Sequence, residues 1–255
     1  MCEGCDQNLK HSLTTSRRKF LFIAASVGLS LTSATSAKEK KKEKKEEKKE
    51  AEKKPPKPQN VLTPDASLQR LLKGNARYVE GVSKRHDFAH EREALVGGQN
   101  PYAGILSCAD SRIAPEYAFD SARGDLFVCR VAGNFASDEM VASLEYAFAV
   151  LGTPLVLVLG HDSCGAVDAA ITSLRDDKAL PGHMPSLVSA IAPAVKTASQ
   201  QSGDTLGNAI RQNVVDNVAK LKSATPILSA AVEQNKLKVV GGIYRLKDGR
   251  VDIVT

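Results

Sequence analysis

From residue 65 onward, short unbroken apolar runs alternate with amphipathic stretches. The apolar runs predict strands at residues 103–107, 126–131, 154–160 and 237–244. Apolar residues at helical spacing predict helices at 65–81, 137–151, 185–199 and 205–234. Because the strand runs are continuous, they are typical of parallel strands that are buried on both faces. The pattern therefore predicts an α/β fold with a central, mostly parallel β-sheet flanked by helices.

The first 60 residues follow a different pattern. The pair Arg17-Arg18 precedes an apolar run at 20–31 and a series of small residues that ends at Ala37. This order is typical of a bacterial export signal, and the paired arginines resemble the twin-arginine type. We therefore expect residues 1–37 to be a signal peptide and the protein to be exported to the periplasm or the extracytoplasmic face of a bacterium. A permanent membrane helix is the alternative.

Residues 38–60 are rich in Lys, Glu and Pro, which predicts a disordered spacer without a core. The net charge of +6 comes from these N-terminal segments, since residues 1–58 contain 15 of the 35 basic and 8 of the 29 acidic residues. Residues 59–255 then have a net charge of −1, which argues against a nucleic-acid partner. The 42% hydrophobic content of the chain is sufficient for one domain with a sizeable core, predicted at 61–255.

The five cysteines of the chain fall into two groups. Cys2 and Cys5 lie in the predicted signal peptide, ahead of its arginine pair, and would be removed with it. The other three are Cys108, Cys129 and Cys164, an odd number that argues against a disulfide framework. Cys129 lies within the run at 126–131, where we expect it to pack as a small hydrophobic residue.

Potential metal ligands follow two of the predicted strands. Cys108 comes after the strand at 103–107, and His161 and Cys164 come after the strand at 154–160. Ligands of parallel sheets bind beyond the carboxyl ends of the strands. Two thiolates and one imidazole suit a tetrahedral zinc ion and leave one position for catalysis. The sequence therefore predicts one zinc ion per chain; the alternative is a buried, hydrogen-bonded histidine beside two packed thiols.

Asp110 and Arg112 add an ionic pair next to Cys108. The carboxylate of Asp110 can ligate zinc directly and close the site. Alternatively, Arg112 holds it away by a two-point contact, so that water takes the fourth position. Zinc lowers the pKa of such a water to about 7 and supplies hydroxide near neutral pH. An ordinary ion pair in a turn is the alternative for these two residues.

Longer motifs around these residues resemble those of the β-class carbonic anhydrases. The resemblance runs from about Leu68 to Tyr244, and its most specific parts are Cys108-x-Asp110-Ser111-Arg112, GDLFVCRVAGN at 124–134, SLEYA at 143–147 and Gly160-His161-x-x-Cys164-Gly165. It implies the reversible hydration of carbon dioxide to bicarbonate and a proton by a zinc-bound hydroxide. Cys108, His161 and Cys164 would ligate the zinc ion in the domain at 61–255. The dyad of Asp110 and Arg112 would orient the hydroxide, and Asp110 would be the fourth ligand in a closed state.

The same resemblance implies a set of substrate-binding positions. These are Gln99, Phe127, Ala132, Tyr146 and Gly165. Gln99 is typical of members with an open site, where it hydrogen-bonds the substrate, and a valine is common where this chain has Ala132. The chain has no Trp, which the inhibited subtype uses in a non-catalytic bicarbonate site, so the open type is favoured. Family members are dimers or larger assemblies with pocket residues from both subunits, which implies a homodimer or higher homo-oligomer.

Other functions remain open from the sequence. Relatives with the same fold and metal hydrolyse carbonyl sulfide or carbon disulfide, and the shared chemistry does not exclude this. A non-catalytic zinc-binding surface protein is the second alternative. The combination of Asp110, Arg112 and Gln99 argues against it, because metal binding alone does not require those residues. A small-molecule substrate is therefore expected, with no nucleic acid and no stable membrane span after signal cleavage.

Overall fold

The computed structural model describes residues 62–255, so the predicted signal peptide at 1–37 and the predicted spacer at 38–60 lie outside the described residues. The helices are α1 (Pro64–Val79), α2 (Phe88–Leu95), α3 (Pro115–Ala118), α4 (Asp138–Ala149), α5 (Gly165–Arg175), α6 (Pro185–Ala198), α7 (Thr205–Lys222) and α8 (Ile227–Glu233). The strands are β1 (Ala103–Ser107), β2 (Leu126–Arg130), β3 (Leu155–His161), β4 (Lys238–Tyr244) and β5 (Val251–Ile253). No helix in this part of the chain has both the length and the apolar character needed to cross a membrane.

The five strands form one sheet in the order β2-β1-β3-β4-β5. The first four are parallel, and β5 runs antiparallel to β4. After β1 the chain moves outward to β2, and it then passes back beyond β1 to reach β3. The connections that follow β1 and β3 therefore diverge, which opens a crevice at the carboxyl ends of these two strands. The predicted fold class is confirmed.

Both faces of the sheet are buried, which explains the unbroken apolar runs of the strands. In β3 the side chains of Leu155, Leu157 and Leu159 belong to a core cluster that includes Leu71 of α1. The intervening residue Val156 belongs instead to a second cluster, which is formed with α4 to α8. Successive side chains of a strand point to opposite faces, so a strand covered on both sides has no polar position.

One helix prediction is wrong. The stretch predicted as a single helix at 205–234 forms two helices. Helix α7 ends at Lys222 and α8 begins at Ile227, so residues 223–226 interrupt the predicted helix. Pro226 has no amide proton and cannot continue the hydrogen-bond ladder of α7. Helix α5 and the short elements α2, α3 and β5 were not predicted; α2, α3 and β5 contain too few residues to show a helical or strand period.

Candidate metal centre

The three predicted zinc ligands lie together at the carboxyl ends of β1 and β3. Cys108 follows β1, His161 is the last residue of β3, and Cys164 is the N-cap residue of α5. Their ligand atoms all lie within 4.8 Å of one another, and the Sγ atoms of Cys108 and Cys164 are 4.0 Å apart. All three side chains are buried. Parallel pairing of β1 with β3 thus brings together residues that are more than 50 positions apart in sequence.

The hydrogen bonds of His161 leave one ring nitrogen for a metal. Its Nδ1 donates to the carbonyl oxygen of Asp162 at 2.8 Å. Its Nε2 is buried and has no hydrogen-bond partner among the described residues. A buried polar atom without a partner costs free energy, and coordination of a metal ion removes that cost. The orphaned Nε2, together with two sulfur ligands, fits the donor set of zinc.

The environment of Cys108 favours a thiolate. The hydrogen bond with the thiol of Cys164 lowers the pKa of Cys108, with further contributions from His161 and from the backbone amide of Gly133, and these outweigh burial. The Gly133 N–H donates to Cys108 Sγ at 3.3 Å. The contact with Cys108, together with burial, raises the pKa of Cys164. Zinc binds cysteine as the thiolate, so an environment that favours the thiolate of Cys108 suits its role as a ligand.

Arg112 holds the carboxylate of Asp110 at both oxygens. Arg112 Nε donates to Asp110 Oδ1 at 2.9 Å, and Nη2 donates to Oδ2 at 2.7 Å. The same Nη2 donates to the carbonyl oxygen of Ser163 at 3.2 Å, which connects the two loops that contain the ligands. These contacts hold the pKa of Asp110 well below its usual range. Asp110 Oδ2 lies 3.8 Å from His161 Nε2, so the carboxylate is beside the ligand cluster and is held there by Arg112.

Arg130 stabilises the loop that contains Cys108 and Asp110. Its guanidinium donates to the carbonyl oxygens of Cys108, Asp110 and Ile113 at 2.9, 2.7 and 2.8 Å. Sequence reasoning assigned no role to this residue. The register of the sheet could have indicated one, because Arg130 pairs with Ser107, the residue before Cys108.

Two of the predicted substrate-binding residues lie next to the ligands. Ala132 precedes Gly133 in the loop that contacts Cys108, and Gly165 follows Cys164 as the first residue of α5. A Cβ atom on Gly165 would meet no atom within 4 Å, so this position faces open space.

The other three predicted substrate-binding residues lie away from the ligands of the same chain. Gln99 is exposed and lies in the segment before β1, whose five residues extend about 17 Å from the amino edge of the sheet to Cys108. Phe127 pairs with Gly104, about 13 Å along the strand from Cys108. Tyr146 is 48% exposed and packs against Phe127 with ring centroids 6.3 Å apart.

Cys129 is buried on β2, as predicted, and lies outside the ligand group. Burial raises its pKa, so its thiol remains protonated at neutral pH. The remaining cysteine of the domain therefore has a packing role, and the metal site uses the other two.

Fold and site together define an α/β protein with a three-ligand zinc site at the edge of a parallel sheet. A family model described as carbonic anhydrase matches residues 103–251. Carbonic anhydrase 2 of Mycobacterium tuberculosis is 37% identical over 188 residues, which cover 73% of this chain and 91% of the relative. The carbonic anhydrase of Pseudomonas aeruginosa is 35% identical over 169 residues, which cover 63% of this chain and 76% of the relative.

Solved structures agree with the sequence relatives. The β-carbonic anhydrase CcaA is 28% identical with a TM-score of 0.56, and the match covers 74% of this chain and 91% of that chain. The Coccomyxa β-carbonic anhydrase, solved in complex with acetazolamide, is 27% identical with a TM-score of 0.58 and coverages of 73% and 86%. This chain therefore belongs to the carbonic anhydrase family, in its β class.

Proposed function

We propose that the protein catalyses the reversible hydration of carbon dioxide to bicarbonate and a proton, with one zinc ion held by Cys108, His161 and Cys164. The observation that carries this proposal is the buried cluster of these three ligand atoms, in which His161 Nε2 has no other partner among the described residues. Membership of the carbonic anhydrase family supports the same reaction. A zinc ion in this cluster supplies a nucleophile at neutral pH, because zinc lowers the pKa of water to about 7.

The residues beside the cluster orient that nucleophile. Asp110 remains ionised because Arg112 donates to both of its oxygens. An ionised carboxylate only accepts hydrogen bonds, so Asp110 accepts one from the attacking water and directs the water's lone pair towards carbon dioxide. Arg112 is itself fixed by Ser163, so the carboxylate stays beside the cluster as in the open form of the site.

The function is tested with a chain of residues 38–255. About one zinc ion per chain and rapid hydration of carbon dioxide in stopped flow, from about pH 6.5 to about pH 9, are expected. Cys164→Ser abolishes both zinc retention and activity, whereas Cys129→Ser, which replaces another buried thiol, preserves both. Asp110→Asn retains zinc and turns over slowly. Zinc-loaded protein without activity at any pH would contradict the proposal and direct the assay to carbonyl sulfide and carbon disulfide.

A homodimer, or a larger assembly built from it, completes the substrate pocket in this proposal. The proposal is supported by the register of Phe127, about 13 Å along the strand from Cys108, by the contact of Tyr146 with Phe127, and by the position of Gln99 before the amino end of β1. Strand β2 forms one edge of the sheet, and three of its five residues are only partly buried. We therefore assign these three pocket residues of one protomer to the site of its partner.

Mixed dimers of two inactive variants test this assignment. A Cys164→Ser chain lacks a zinc site but retains Gln99, and a Gln99→Ala chain retains the zinc site. If Gln99 acts across the interface, the mixture regains activity, because one of the two sites in each mixed dimer is intact. If Gln99 acts within its own chain, every site remains defective and mixing restores nothing. Sedimentation analysis of the wild-type protein measures the assembly directly.

Export beyond the cytoplasmic membrane is proposed from residues 1–37 alone, since these lie outside the described residues. The support is the arginine pair followed by an apolar run and small residues. A reporter fused to residues 1–37 is expected to reach the periplasm, and replacement of Arg17 and Arg18 by Lys is expected to retain it in the cytoplasm. Cytoplasmic retention of the unmodified fusion would refute export.

A further inference from the structure

Two buried asparagines on α7 hold the loop that contacts Cys108. Asn213 Nδ2 donates to the carbonyl oxygen of Gly133 at 2.8 Å. Asn217 Oδ1 accepts from the backbone N–H of Ala136 at 2.7 Å. The two side chains are 2% and 7% exposed. Helix α7 therefore holds the segment between Gly133 and Ala136 at both of its ends.

The two asparagines also fix each other. Asn217 Nδ2 donates to the backbone carbonyl of Asn213 at 2.8 Å and to its Oδ1 at 3.1 Å. Burial of an amide is costly unless its polar atoms are hydrogen-bonded, and here both oxygens and both nitrogens have partners. The amide groups are therefore held in one orientation, with Asn213 Nδ2 directed at Gly133.

Gly133 connects this pair to the metal site. Its carbonyl accepts from Asn213, and its N–H donates to Cys108 Sγ at 3.3 Å. Its φ of +86° is a backbone conformation that favours glycine, and a Cβ atom there would lie 2.6 Å from Ile191 Cδ1. Gly133 has no side chain to fix it, and the peptide group that contains its carbonyl is held by Asn213 on one side and by the Asn134 N–H, which donates to the Val131 carbonyl at 2.9 Å, on the other.

We infer that Asn213 is a positioning residue of the metal site, which holds Gly133 so that its N–H remains directed at Cys108 Sγ. This inference rests on the proposed zinc site. A hydrogen bond to a thiolate withdraws electron density from sulfur and weakens its donation to the metal. Partners that act on metal ligands in this way commonly change metal affinity or activity by about 10–100-fold. Asn213 thereby tunes a zinc ligand that it does not touch.

The test compares two isosteric substitutions in the full chain. Asn213→Asp removes the donor to Gly133 and places a carboxylate against its carbonyl oxygen. The matched control is Asn75→Asp, because Asn75 is 5% exposed and donates to the backbone carbonyls of Ala118 and Gly249 at 2.9 and 2.8 Å. Both changes remove a buried amide that holds backbone, but only the first is connected to Cys108.

Cobalt substituted for zinc reports the sulfur ligands directly, through the thiolate-to-cobalt charge-transfer absorption. In Asn213→Asp this band is expected at longer wavelength than in the wild type, since a sulfur atom without its hydrogen bond gives up an electron more easily. The same change releases Cys108 Sγ from its fixed position, and this loss of positioning is expected to outweigh the stronger donation of sulfur, so that zinc transfers to a competing chelating dye about 10–100-fold faster. Asn75→Asp is expected to have the wild-type band and the wild-type rate of zinc loss.

An unchanged band in Asn213→Asp would overturn the inference, and so would equal changes in both variants, which would indicate general loss of stability. If Asn213→Asp does not fold, Asn213→Ser replaces it, because the shorter side chain lacks the reach to Gly133 and carries no charge. Both readouts measure metal binding and need no turnover. Failure of carbon dioxide hydration would therefore leave this result intact and would be recognised separately.

Discussion

The two-point contact between Arg112 and Asp110 is the feature on which an open site depends most directly. Arg112→Lys retains the positive charge but not the planar fork that holds both oxygens of the carboxylate. A lysine at this position forms one hydrogen bond where the arginine side chain forms three, two to Asp110 and one to Ser163. The carboxylate is then free to move towards the metal ligands, since its Oδ2 is already 3.8 Å from His161 Nε2.

The size of the effect follows from the exposure of the pair. Hydrogen bonds to charged groups contribute about 1.5–3 kcal/mol each, and exposed ion pairs contribute about 0.2–1 kcal/mol. The Arg112 side chain is 51% exposed and that of Asp110 is 17% exposed, so weakening this pair by the lysine substitution should cost about 1–2 kcal/mol. That free energy changes by about 5–30-fold the ratio of molecules in which Arg112 holds Asp110 to molecules in which Asp110 is free to move towards the metal ligands. Activity at neutral pH is expected to fall with the fraction of molecules in which Asp110 is held, at most by this factor.

Stopped-flow hydration across about pH 6.5–9, together with the zinc content per chain, measures this effect. Arg112→Lys should retain zinc, lose activity at neutral pH and recover it at alkaline pH, where hydroxide competes better with the released carboxylate. Arg175→Lys is the control, because Arg175 makes the same two-point contact with Asp176 on the exposed end of α5. Wild-type rates at neutral pH in zinc-loaded Arg112→Lys would refute the reasoning.

Three further predictions concern the stability of the fold. Gly74→Ala is expected to lower the free energy of unfolding by about 1–3 kcal/mol in denaturant titrations, because the added Cβ would overlap the carbonyl oxygen of Phe119. The activity of the folded enzyme is expected to be unchanged. Burial raises the pKa of Tyr102 to about 12. The contribution of the neutral phenol to the free energy of unfolding is therefore intact below about pH 10 and is lost as the pH rises towards 12, a loss of about 2–3 kcal/mol. Melting curves of Tyr102→Phe should lack this alkaline loss. Burial is the largest influence on the pKa of Asp120 and opposes its ionisation, but the hydrogen bonds from Arg77 and from the Lys84 N–H, with the charges of both residues, together outweigh burial and lower the pKa. This contribution to stability is present above the usual carboxyl range and is lost in acid. Asp120→Asn should therefore cost about 1–3 kcal/mol at pH 7, and a cost below about 0.5 kcal/mol would contradict this.

Local features of the sequence were sufficient to predict the strands and the ligands. Strand β1 has the predicted bounds, because an apolar run of five residues between turns has few alternatives. The ligand set was predicted for a similar reason, since Cys108 and His161 follow strands that a parallel sheet brings to one edge. The helix at 205–234 was predicted without its interruption, because apolar periodicity continues through Pro226.

Other parts of the site depend on contacts between distant segments. The sequence left open whether Asp110 closes the site or is held away, and the answer depends on Arg112, which Ser163 fixes from another loop. Arg130 and Asn213 had no local signal, since an arginine and an asparagine are common on any strand or helix. Their contacts with the Cys108 loop exist only after β2 and α7 have packed beside it.

By itself, the sequence determined the candidate ligands Cys108, His161 and Cys164 and the four parallel strands, because these depend on residue type and on short apolar runs. Only the tertiary structure decided that His161 Nε2 has no hydrogen-bond partner among the described residues, that Arg112 restrains Asp110, and that Phe127 lies about 13 Å along the strand from Cys108. Each of these features depends on which distant segments lie close together, and strand order and register set this when the sheet forms.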